Sequence, residues 1–221
     1  MPKKDELLKV AVVTGGHTFN VISFGRLWKE LKGVDAYIQH MEDFGSSDDS
    51  TRDSYDVVVF YNMTIPVPSD EGNEWFAGKP KSALEHLGYT KQGIIILHHA
   101  VLAFPKWDVW GKLVGIKNRE FSYHFNQMIN VKPFTNNHFV TRGLKEWRMI
   151  DETYKMADCE EGCEVLLTVE HPKSMKTVCW TKNWKKSRVF CLQLGHDNKA
   201  WEDRNFREVL RRGVLWTAQR A

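Results

Sequence analysis

Short unbroken apolar runs alternate with amphipathic stretches through the first hundred positions. Lys9 to Val13 (KVAVV) is followed at once by Thr14-Gly15-Gly16, the pattern of a buried strand ending in a turn. Asn20 then has the chemistry of an N-cap, and Phe24, Leu27, Trp28 and Leu31 recur at helical spacing before Gly33 closes the segment as a C-cap. Val34 to Gln39 predicts a second strand, and the acidic, serine-rich Glu42 to Asp53 reads as a surface loop. Asp56 to Tyr61 (DVVVFY) predicts a third strand, covered on both faces because its apolar content is continuous. Lys81 to Leu87 predicts a short helix, and Gly93 to Leu97 (GIIIL) is the strongest strand signal. This alternation predicts a parallel sheet with helices on both faces and ligand groups at the carboxyl ends of its strands.

Beyond residue 160 the pattern changes. Glu164 to Glu170, Thr177 to Thr181 and Arg188 to Leu194 read as strands joined by short polar links, which predicts antiparallel hairpins added to the sheet. Asn205 to Thr217 sets Phe206, Val209, Leu210 and Leu215 or Trp216 on one side and predicts a closing helix. The fold class is therefore α/β, a mainly parallel sheet flanked by helices with antiparallel strands in the C-terminal third. No repeat or linker interrupts the 221 residues, so a single domain over 1–221 is expected.

Composition narrows the chemistry. Apolar residues make up 42% and charged residues 27%, near the globular average and away from disordered chains. Thirty-one basic residues against 28 acidic ones leave a net charge of +3, too small and too dispersed to suggest nucleic acid as a partner. The early apolar run is too short for a secretory segment, and no run approaches the ~18 residues of a membrane span. A soluble, cytoplasmic protein with no membrane partner is expected. Four cysteines in a chain of this size do not form a disulfide framework, so Cys159, Cys163, Cys179 and Cys191 are expected as thiols. The CxxxC spacing of the first two lacks a second ligand pair for zinc.

Several enzyme signatures are absent: GxSxG, HExxH and GxGxxG do not occur. Gly72 to Lys79 has the look of a phosphate loop, but its glycines are one residue too far apart and Pro80 stands where a hydroxyl residue is needed. No nucleotide cofactor is expected. The informative feature is histidine placement, because His98-His99 follows one buried strand and His196 follows another at Gly195. Strand ends on one side of such a sheet converge on a cleft. Cys191 cannot pair with His196, since five extended residues separate them by roughly 16 Å. Asp151 and Glu152 are neighbours, so on extended backbone one of them faces the cleft. Asp197 either orients His196 or caps the following helix.

The segments LHHA (97–100), DETY (151–154), VCWT (178–181), SRVFCLQLGHD (187–197) and FREVLRRGVLWT (206–217) resemble, in order and spacing, the ThuA-like (trehalose utilisation) family. TGGHTFN (14–20) is a weaker match to its first loop. Lys185-Lys186-Ser187 and Phe139 depart from the family pattern, in loops. The resemblance covers nearly the whole chain. It implies a flavodoxin-like fold similar to class I glutamine amidotransferases, in which a strand ends in a sharp turn carrying a catalytic cysteine and a later strand supplies a histidine. Here His98 occupies the turn and His196 resembles the later histidine, so the thiol nucleophile is missing.

These readings define an expected site. His98, His196, Glu152 and Tyr154 are the candidate catalytic groups. His17, His99, Trp107, Trp110, Asp151 and Asp197 are candidates for substrate contact, the tryptophans because indole faces suit sugars. His98, His124 and His196, with Glu152, are the candidate ligands of a divalent metal, zinc first. Resemblance implies a small-molecule sugar as partner, a trehalose-type disaccharide or its keto derivative. A homo-oligomer is compatible with the sequence. Two functions stay open: an enzyme moving protons through histidine and carboxylate, metal-assisted or not, and a non-catalytic sugar-binding or regulatory protein.

Overall fold

The computed structural model describes residues 7–71 and 79–220; the first six positions and nearly all of the stretch rejected above as a phosphate loop lie outside it. Five strands run parallel: β1 (Leu8–Gly15), β2 (Val34–His40), β3 (Val57–Asn62), β4 (Gly93–Leu97) and β9 (Ser187–Leu192). The others, β5 (Ser122–Pro133), β6 (Trp147–Lys155), β7 (Glu164–Val169) and β8 (Thr177–Trp184), pair antiparallel. The described residues form one nine-stranded sheet in the order β2-β1-β3-β4-β9-β8-β7-β5-β6. The anticipated C-terminal antiparallel strands are present, and β5 and β6, which the sequence pattern did not announce, lie beyond them at the far edge.

Alternation along each strand divides the core into two layers. Val10, Val12, Val59, Ile95, Leu97, Phe190 and Leu192 pack beneath α1 (Val21–Glu30) and α7 (Arg204–Thr217). Ala11, Val13, Val58, Phe60, Ile94, Ile96 and Val189 pack beneath α2 (Met41–Ser46), α4 (Pro80–His86) and α5 (Asp108–Val114). Every residue of β3 and β4 is buried, which is why both read as unbroken apolar runs.

Asn20 caps α1 as expected, accepting from Ser23 N at 2.9 Å. The helix ends earlier than its spacing suggested, with Leu31 at the cap, and Gly33 turns the chain into β2 at φ 84°. The segment expected as a surface loop, Glu42 to Asp53, instead contains α2 and α3 (Asp49–Asp53). Its polar residues are helix caps. His40 and Asp43 form a capping box, Asp48 accepts from Thr51 N at 2.7 Å, and the Arg52 guanidinium donates to the Phe44 carbonyl at 3.2 Å.

Candidate active site

β4 and β9 are neighbours at the middle of the sheet, and both deliver a histidine at their carboxyl ends. His98 is the first residue of the 3₁₀ turn after β4 and takes φ 51°, a left-handed conformation rare outside glycine and asparagine. The turn bends the backbone sharply enough to send the imidazole back across the end of β9, where Nδ1 lies 2.5 Å from the Gln193 carbonyl. A carbonyl only accepts, so Nδ1 carries the proton and Nε2 offers a lone pair. That lone pair faces β6. Tyr154 Oη lies 2.7 Å from His98 Nε2, and Glu152 Oε2 lies 3.1 Å from it.

Glu152 Oε2 is the meeting point. It accepts from the Tyr154 hydroxyl at 3.2 Å and lies 3.5 Å from His196 Nε2. The Tyr154 proton can serve His98 or Glu152, not both, so the cluster has more acceptors than protons. Burial holds His98 well below the ordinary histidine range, with His196 adding to the shift, and burial raises the Glu152 carboxyl. Burial also lifts the Tyr154 phenol well above its usual range. The His98 imidazole is kept neutral, and the Glu152 carboxylate is made a stronger proton acceptor than a free one.

Exposure orders the groups. The His98 side chain is fully buried, that of Glu152 is 6% exposed and that of His196 is 17% exposed. His196 is thus the member of the three most open to solvent, while His98, expected as a catalytic group, lies buried behind Glu152. Tyr154, 2% exposed, spends its hydroxyl inside the cluster.

Asp151 points the other way from Glu152. Its carboxylate accepts from Gly195 N at 2.7 Å, His196 N at 3.0 Å and Glu152 N at 2.8 Å, so it pins the turn that carries His196. Burial pushes its carboxyl up to about 7 against the pull of those three N–H groups. Its part is positioning, where substrate contact was expected. Gly195 has φ 116°, and a Cβ there would lie 2.9 Å from the Phe206 ring, so the turn requires glycine on two counts.

His99 is buried, held to about 2 chiefly by burial, and donates toward the Tyr61 carbonyl through Nε2 at 3.2 Å. His17 stacks on it at 4.4 Å and meets His196 edge-on at 5.7 Å. Asp197 caps α6 (Asn198–Trp201), accepting from Lys199 N at 2.9 Å, and stands 3.8 Å from His196 Nδ1. His124 is not brought to the cluster. It pairs with Thr153 across β5 and β6, and alternation sets that pair opposite the face carrying Glu152 and Tyr154. Trp107 and Trp110, expected at the cleft, are core: Trp110 donates to the Ala100 carbonyl at 2.9 Å and packs on Phe60 and Phe104, and Trp107 packs on Phe104.

Two positioning residues went unread. Gln193 supplies the carbonyl that fixes the His98 tautomer, and its amide donates to the Glu152 carbonyl at 3.1 Å. A glutamine inside the apolar run VFCLQL was the available signal. Tyr61 donates to the His196 carbonyl at 3.0 Å and steadies the same turn as Asp151. Cys191 is buried with its thiol toward the Val114 carbonyl at 3.6 Å, and all four cysteines are free.

Comparison with known proteins decides the family. The family model described as ThuA, trehalose utilisation, matches residues 19–217. The chain belongs to the ThuA family. This membership points to carbohydrate metabolism. A ThuA-like protein from Parabacteroides merdae has a TM-score of 0.75 at 21% identity, over 96% of this chain and 90% of that one. A cytoplasmic protein from Salmonella typhimurium has a TM-score of 0.65 at 12% identity, over 95% and 99%. A glutamine amidotransferase from Thermotoga maritima has a TM-score of 0.55 at 11% identity, over 96% and 98%. These likenesses show the fold that ThuA proteins share with class I glutamine amidotransferases. No curated protein matches the chain in sequence. Among the described residues, no helix is long and apolar enough to cross a membrane.

Proposed function

We propose that this ThuA protein catalyses proton transfer on a keto-sugar or its glycoside, derived from a trehalose-type disaccharide, in an isomerisation, hydration or lyase step. The observation that carries this reading is the convergence of His98 Nε2, Tyr154 Oη and His196 Nε2 on Glu152 Oε2, at 3.1, 3.2 and 3.5 Å. His196, the most exposed of them, takes the proton from a C–H made acidic by the adjacent carbonyl. Glu152 stabilises the imidazolium that forms and accepts its proton in turn, and His98 with Tyr154 holds Glu152 in place. The proton returns to the neighbouring carbon or to the departing group by the reverse path. Each well-placed acid or base contributes about 10²- to 10⁴-fold.

The same atoms support a metal-assisted form. His98, Glu152 and His196 each offer a ligand atom, all within 4.8 Å of one another. A tetrahedral zinc with bonds of about 2.0–2.1 Å has ligand edges of roughly 3.3 Å, close to the two spacings at Oε2, and a carbonyl on Nδ1 is the usual partner of a ligating histidine. A bound divalent ion would polarise the substrate carbonyl. His124 has no part in this set. Elemental analysis of purified protein, with activity followed through chelation and zinc return, separates the two forms.

The experiment for the shared claim is uptake of solvent deuterium by a keto-disaccharide, followed by proton NMR. Loss of the C–H signal beside the carbonyl only with enzyme present supports proton transfer. Binding without exchange favours the sugar-binding alternative.

A further inference from the structure

Three aromatic side chains stand exposed along the stretch entering β5. Phe121 is 38% exposed, Tyr123 55% and Phe125 52%. They occupy every second position, so extended backbone turns them to one side. Their rings form a row, with centroids 6.4 Å apart between Phe121 and Tyr123 and 5.2 Å between Tyr123 and Phe125. Tyr123 pairs with Tyr154 across β5 and β6 and so shares the face that carries the site.

The row is tied to the site at both ends. Phe121 meets the Tyr154 ring edge-on at 5.6 Å, and Phe125 lies 5.4 Å from the His196 ring. The ladder register shifts between His124 and Gln127, and Asn126 takes φ 55°, a bulge that breaks the strand's course just where Phe125 turns to His196. Large rings are exposed elsewhere too, Tyr89 and Phe134 among them; what sets these three apart is that they form a row joined to the site. They line the approach to the most exposed catalytic group.

We infer that Phe121, Tyr123 and Phe125 form a stacking subsite for a pyranoside ring, which they hold beside His196. This rests on the proposed action on a keto-sugar. A pyranose presents an axial C–H face of low polarity, complementary to the negative faces of aromatic rings, and an equatorial rim of hydroxyls that stays in water. A disaccharide has two rings. One would lie at His196 and Glu152, and the other on the aromatic row. The same surface would otherwise suit a second copy of the chain, and the test separates the two occupants.

The probe is trehalose, titrated by saturation-transfer NMR against the parent, a Tyr123→Leu/Phe125→Leu variant, and a Tyr123→Phe/Phe125→Tyr variant. Thermal melting verifies that each is folded, and sedimentation gives its oligomeric state. The parent and the aromatic-retaining variant are expected to bind within about twofold of each other. The leucine variant keeps apolar volume without a ring face and is expected to bind at least about tenfold more weakly. Equal binding by the leucine variant, or no binding of trehalose by the parent, overturns the inference. So does a parent dimer that the leucine changes dissociate while trehalose affinity stays constant, which would assign the row to self-association. Failure of the proton-transfer reading is seen separately, as ring-dependent binding without deuterium uptake into the keto-disaccharide.

Discussion

His98 and Glu152 come from opposite halves of the sheet, one from the turn after parallel β4 and the other from antiparallel β6, and meet through Nε2 and Oε2 at 3.1 Å. Four strands separate the two in sheet order, and the left-handed turn at His98 helps aim its ring at Glu152. A parallel half supplies the histidines and an antiparallel half closes over them with a carboxylate and a phenol.

Glu152→Gln replaces the shared acceptor by an amide of nearly the same shape. Exchange activity on the keto-sugar is expected to fall by about a hundredfold or more, within the range for a positioned acid or base, while the melting temperature changes little. Paired rate and melting measurements check this.

His98 touches no solvent, so replacing it should act on turnover rather than on substrate binding. Asparagine accepts left-handed backbone better than alanine does. His98→Asn is therefore expected to fold more stably than His98→Ala, with both losing kcat by tenfold or more at nearly constant KM. Steady-state kinetics beside urea titrations test the split.

Gly195→Ala forces a Cβ into the Phe206 ring at a φ of 116°. Strain of this kind costs about 1–3 kcal/mol. The variant should unfold at lower urea and lose activity through displacement of His196.

Asp151→Ala leaves three N–H groups, two buried and one partly buried, without their acceptor. Each such loss costs about 1–3 kcal/mol, so this change should be among the most destabilising single substitutions in the chain. Asp151→Asn keeps one acceptor oxygen and should fall between it and the parent in a urea melt.

Acid should weaken the fold. His98, His99 and His138 have folded pKa values depressed below the ordinary 6.5, chiefly by burial. Their contribution is present above pH 6.5 and is lost as the unfolded chain takes up protons below it. Asp151 and Glu152, raised by burial, act in the opposite sense, between their unfolded values near 4 and their folded ones. The histidine contribution alone makes stability rise with pH up to about 6.5, and Asp151→Asn, which removes one opposing carboxyl, should steepen that rise. Urea midpoints in that window, with chelator present, check the sign.

The strands that carry His98 and His196 were legible because burial on both faces writes itself as an apolar run, as in GIIIL and VFCLQL. Strands β5 and β6 were not. At the sheet edge, β5 keeps exposed residues through most of its first half, so SYHFNQMINVKP shows neither a continuous run nor a clean alternation. For the same reason the aromatic row leaves no signal in the sequence pattern, whereas Trp107 and Trp110 suggest sugar contact by residue type. Both follow the His98 turn in sequence, but Trp110 turns into the core from the helix Asp108–Val114, and Trp107, the residue before that helix, packs on Phe104. Glu152 and Tyr154 were found through family resemblance, not through pattern. Their meeting with His98 depends on a register between distant strands that no local spacing records.

The central claim is that His196 moves a proton at the substrate. Its most direct test is the rate of solvent-deuterium uptake beside the carbonyl of a keto-disaccharide, measured by NMR for the parent and for His196→Ala at equal ligand occupancy. The account predicts enzyme-dependent exchange by the parent and a loss of about a hundredfold or more in the variant. Exchange by His196→Ala within a few-fold of a catalytically active parent, or none by a parent that binds the ligand, would contradict it.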